Sequence, residues 1–82
     1  DNMVKVFPNP SKGEFLVELN DHSFNTISVM VMNSSGEMIY QRDETEGTDR
    51  IRIDISNNPN GIYMLQVKLD GNILNKKITL IK

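Results

Sequence analysis

The chain has 82 residues, which fits one domain. Its formal net charge is −2, and no clustered basic stretch offers the electrostatic footprint of a nucleic-acid binder. It has no cysteine, which excludes disulfides, thiol catalysis and cysteine-held zinc without fixing a compartment. At 38% hydrophobic residues spread along its length, the sequence can bury a core and is not of the disordered type. It has no apolar run long enough for a membrane-spanning helix and no visible signal peptide. It also begins at Asp1 without a methionine, so we read it as a fragment of a longer protein.

Short alternating runs follow one another. Val4 to Phe7 is the first, stopped by Pro8-Asn9-Pro10, because proline lacks an N–H and forces its predecessor toward extended geometry. Gly13 lets the chain turn back. Glu14 to Leu19 puts Phe15, Val17 and Leu19 on one face. After a polar turn at 20–25, Thr26 to Met32 alternates Ile27, Val29 and Val31 with Ser28, Met30 and Met32. The second face is semi-apolar, as in a strand covered on both sides.

Asn33-Ser34-Ser35-Gly36 is a hairpin signal, and Glu37 to Arg42 reads as the returning strand. Residues 43–49 read as an acidic loop. Arg50 to Ile55 alternates cleanly on Ile51, Ile53 and Ile55. A turn rich in asparagine leads to Ile62 to Leu69, with Tyr63, Leu65, Val67 and Leu69 on one face. Asp70-Gly71 predicts a type I′ hairpin into the last run, Asn72 to Ile81. Turns recur about every 8–12 residues, the spacing of an all-β sandwich of about seven antiparallel strands. Periodicity alone leaves a closed barrel as the rival.

Chemistry is scarce. The one histidine, His22, lies in an Asp21-His22-Ser23 string. Adjacent residues cannot form a triad, whose members converge from separate segments. No spaced partners make a metal site around it. Asp43, Glu44, Glu46 and Asp49 suggest calcium by charge, but the spacing of a calcium-binding EF-hand loop is absent. A solvated acidic loop is the plainer reading. The glycines sit in turns, outside any phosphate-binding motif. No nucleophile is paired with a base, so the residues point to a non-enzyme without cofactor or metal.

Three segments go beyond generic β architecture. They are Val6-Phe7-Pro8-Asn9-Pro10-Ser11-Lys12-Gly13, the stretch Ile53 to Ser56 with Pro59 to Val67, and Lys76-Lys77-Ile78-Thr79-Leu80-Ile81-Lys82. In this order the chain resembles the type A C-terminal sorting domain of the type IX secretion system of Bacteroidetes. The matching positions are Pro8, Asn9, Pro10, Gly13, Gly36, Gly61, Tyr63, Lys76, Lys77, Ile78, Leu80, Ile81 and Lys82. Phe7 stands where the family often has tyrosine.

The resemblance implies an immunoglobulin-like sandwich that addresses a secreted cargo to an outer-membrane translocon. The cargo would cross the periplasm and reach the cell surface or medium. A sortase-like peptidase would cut upstream, and lipopolysaccharide attachment or release would follow. The terminal motif would be the handle. An exposed last strand could accept a partner strand by β-augmentation or support a homodimer. The competing reading is a non-catalytic adhesive or carbohydrate-binding module. The absence of tryptophan counts against it.

Overall fold

A computed structural model of the chain describes residues 4–20, 25–45 and 49–82. Seven strands follow in order: β1 (Val4–Phe7), β2 (Glu14–Leu19), β3 (Thr26–Met32), β4 (Met38–Thr45), β5 (Arg50–Asp54), β6 (Gly61–Leu69) and β7 (Asn72–Leu80). They form two antiparallel sheets, ordered β1-β2-β5 and β4-β3-β6-β7. The two stacked sheets exclude the barrel.

The alternation read from the sequence is what stacks them. Phe15, Val17, Ile51 and Ile53 of the smaller sheet are all at most 1% exposed. They share one core with Val29, Val31, Leu65, Val67 and Ile78 of the larger. Each buried aliphatic side chain contributes about 1.5–3 kcal/mol, set against the entropy of ordering the chain.

The outer faces differ. On the smaller sheet Lys5, Glu18 and Arg50 lie in one cross-strand row, and Arg50 Nε meets Glu18 Oε2 at 3.2 Å. On the larger sheet Met38, Met32, Met64 and Lys77 form a row.

Three expectations need correction. The returning strand β4 runs on through Thr45, so Asp43 and Glu44 are strand residues, not loop. They pair with Ser28 and Ile27, and the pairing extends a strand that looked like a solvated loop. Ile39 is the extra residue of a bulge opposite Val31 and Met32.

The β6–β7 hairpin is not type I′. Asp70 alone takes positive φ, +54°, which is the sign pattern of a type II′ turn. Its carboxylate accepts from Asn25 N–H at 3.0 Å and Thr26 N–H at 3.1 Å, and these bonds hold the backbone there. The third correction concerns the edge of β7 and follows below.

His22 and Glu46 lie outside the described residues. Among the described residues no cluster of three acidic or histidine side chains could hold a metal.

Candidate functional site

The motif segments lie far apart in sequence and meet at one pole of the sandwich. The loop after β1 contains cis peptide bonds before Pro8 and Pro10. It leaves the smaller sheet and runs beside the last strand of the larger one. There the Asn9 side chain does the work of a neighbouring strand. Its amide donates to the Lys77 carbonyl at 2.7 Å and accepts from Thr79 N–H at 3.0 Å. Ser11 continues the pairing, its N–H donating to the Thr79 carbonyl at 2.8 Å and its carbonyl accepting from Ile81 N–H at 2.9 Å. The result is a parallel bridge between Ser11 and Leu80.

The turn itself is tightly built. Ser11 is 1% exposed, and its hydroxyl accepts from Gly13 N–H at 2.8 Å. Gly13 has φ +131°, and a Cβ there would sit 2.5 Å from the Ser56 Cβ. Only glycine satisfies both conditions. The Gly13 carbonyl accepts from Ile55 N–H at 2.7 Å, which ties the turn to the end of β5.

The middle motif closes the same pole. Tyr63 is 4% exposed, and its hydroxyl donates to the Pro59 carbonyl at 2.5 Å. This fixes the 56–61 loop against the core, the expected use of an amphipathic ring. Lys82 N–H donates to Asn60 Oδ1, and its Nζ donates to the Ser56 carbonyl, both at 3.1 Å. Asp54 Oδ1 accepts from Ser56 N–H at 2.9 Å. The Ser56 hydroxyl, then this N–H, hold the Asp54 carboxyl below the ordinary aspartate range.

The predicted positions divide into three groups. Asn9 and Lys77 interlock directly, Gly13 through Ser11, and Lys82 through Ser56. Ile78 and Leu80 are fully buried and serve the core, while Ile81 is 55% exposed beside them. Gly61 opens β6 opposite Leu80. Gly36 closes the β3–β4 hairpin at φ +85°, and the hairpin borders the 58–63 segment at the same pole. Lys76 faces the core side of β7 and is half-buried, while Lys77 faces outward.

Sequence reasoning missed Ser11, Ser56 and Asn60. Ser11 and Asn60 carried a signal, a small polar residue beside a proline or glycine, where side chain to backbone bonds replace the ladder, and Ser56 carried none of that kind.

Here the expectation of an open terminal strand is narrowed to the part of β7 before the Lys77 carbonyl. The edge of β7 from the Lys77 carbonyl to Ile81 N–H is already paired with Asn9 and Ser11. A partner strand cannot add there.

The family described as the secretion system C-terminal sorting domain matches residues 5–82. The chain belongs to this family. The sorting domain is thereby a tail of type IX secretion, found on proteins that end at the cell surface or in the medium. No curated protein matches the chain. Among solved structures, the sorting domain is similar to a DUF3244 family protein with an immunoglobulin-like β-sandwich fold from Bacteroides vulgatus. The TM-score is 0.82 at 18% identity, covering 96% of this chain and 84% of that one. That likeness concerns the fold.

Proposed function

We propose that the domain is a non-catalytic address that carries an upstream cargo through the type IX outer-membrane translocon by protein–protein recognition. The observation that carries this reading is the convergence of the family's separated motifs. Asn9 and Thr79 are hydrogen-bonded across 70 positions, and Ser56 and Lys82 across 26. Generic turns would not need to meet. A surface assembled from three chain segments can be read by a partner only when the domain is folded.

The orientation suits a tail. β1 enters at Val4, beside Leu19, whose N–H donates to the Asp49 carbonyl at the opposite pole. A cargo joined upstream would leave from that pole, and the motif pole would face the translocon unobstructed. Cleavage by a sortase-like peptidase and attachment of cargo to lipopolysaccharide belong to the same reading, upstream of this surface.

The test is a transplant. Residues 1–82 are fused behind a signal peptide and a fluorescent reporter, in a strain with a working type IX system and in a translocon-null strain. Delivery to the surface or medium only in the working strain is expected. Periplasmic retention in both strains overturns the reading for this domain.

A further inference from the structure

The outer edge of β7 is only half occupied. Thr79 sits opposite Ile62 and turns both backbone groups outward, to Asn9 and Ser11. Antiparallel pairs alternate between residues that exchange hydrogen bonds and residues that do not. The β6–β7 register is continuous from Leu80 to Asn72. By that alternation Lys77, Asn75 and Ile73 also turn their backbone groups outward. The Lys77 carbonyl is taken by Asn9. Among the described residues, no hydrogen bond reaches Lys77 N–H or either outward group of Asn75 and Ile73.

Beside this half-edge lies an open groove between β7 and β1, the edge strand of the other sheet. Val6 and Phe7 give it an apolar wall, and Phe7 is 41% exposed. Lys5, Lys76 and Lys77 line it as well. Lys5 and Lys77 are exposed.

We propose that Ile73 to Lys77 accepts an extended acidic segment of a translocon protein, which adds to the four-stranded sheet as a fifth strand. The proposal rests on the sorting function and names the partner chemistry of that recognition. Two observations select the occupant. Outward N–H and C=O groups repeating at every second residue match another backbone, and the lysines match carboxylates. Side chains alternating along the added strand would set acidic groups beside Lys77 on the outer face and apolar groups toward Val6 on the inner face. Phosphate or an anionic lipid would use the lysines and leave the backbone groups unmatched. The Asn9–Ser11 segment then has a second role. It blocks the rest of the edge and so fixes where the added strand must stop.

The test separates backbone from side chain. Asn75→Pro removes one outward N–H and no β6 bond, a change that edge strands tolerate. Asn75→Ala keeps that N–H. We expect both purified domains to melt cooperatively near the wild-type temperature. Reporter delivery by the proline variant should fall by about tenfold, as for one buried acceptor left unpaired, with the alanine variant delivering normally.

A folded proline variant that delivers normally overturns strand addition. It leaves the sorting function standing, because that is read separately by the transplant of the wild-type domain into the working and translocon-null strains. If the proline variant does not fold, hydrogen exchange on the wild-type domain decides. A blocked peptide of alternating valine and glutamate should slow exchange at the Ile73, Asn75 and Lys77 amides. Unchanged exchange there overturns the proposal. So does a response of the lysine side chains to inorganic phosphate or anionic vesicles that matches their response to the peptide, without amide protection.

Discussion

The two poles of the sandwich are closed by different means. At the motif pole a neutral amide, Asn9, and the backbone of Ser11 join the loop after β1 to β7, so the closure spans both sheets. At the other pole the Asp70 carboxylate accepts from Asn25 and Thr26, and so joins β6 to β3, which are already neighbours in one sheet. The first closure positions the sheets against each other. The second finishes a hairpin. Only the first involves residues of the family's motifs, so on the proposed function delivery and sheet alignment would depend on the same bonds.

The largest break in that contrast is at Gly13. Gly13→Ala sets a Cβ against Ser56 at a φ that disfavours it. It should cost about 2–4 kcal/mol, read as a lower denaturant midpoint. That is a large part of a small domain's stability.

Next comes a matched pair. Asn9→Ala leaves the Lys77 carbonyl and Thr79 N–H without their partner, at a cost of about 1–2 kcal/mol. Asp70→Ala removes a cap of about 1 kcal/mol at the other pole. Both should lower the melting temperature, but only Asn9→Ala should reduce reporter delivery. Equal loss of delivery would erase the distinction between the poles.

Acid should sharpen it. Asp54, at the motif pole, has a lowered folded-state pKa. Its stabilising effect is complete above the unfolded-state value of 3.8 and is lost as pH falls through the lower folded value. The Ser56 amide resonance should therefore move below pH 3.8, and Asp54→Asn should abolish that movement. The smallest effect belongs to neither pole. Arg50→Ala breaks an exposed pair with Glu18 and should change stability by about 0–1 kcal/mol, measured by urea unfolding.

Much of this architecture could be read from residue alternation. Ile51, Ile53 and Ile55 define a half-buried strand region because side chains alternate across a sheet, and all three are buried. The end of β4 was illegible for the same reason. Arg42, Asp43 and Glu44 carry no alternating apolar signal, and only their pairing with β3 makes them strand. Edge strands carry charge to discourage unwanted pairing, so they resemble loops in sequence. At the site, the family motifs identified the residues but not their meeting. The Asn9 amide occupies a strand's place through contacts some 68–70 residues away, which no local pattern encodes.

That separation has a consequence for timing. Within the domain Thr79 lies on the last strand to be synthesised, and Asn9 in the loop after the first. A chain interrupted upstream of Thr79 holds nearly every strand yet has nothing for Asn9 to grip. Its motif pole lacks these bonds, and on the proposed function its cargo would carry no legible address. By fastening its first loop to its last strand, the domain would, on the proposed function, make export conditional on its own completion, a form of proofreading that requires no separate inspector.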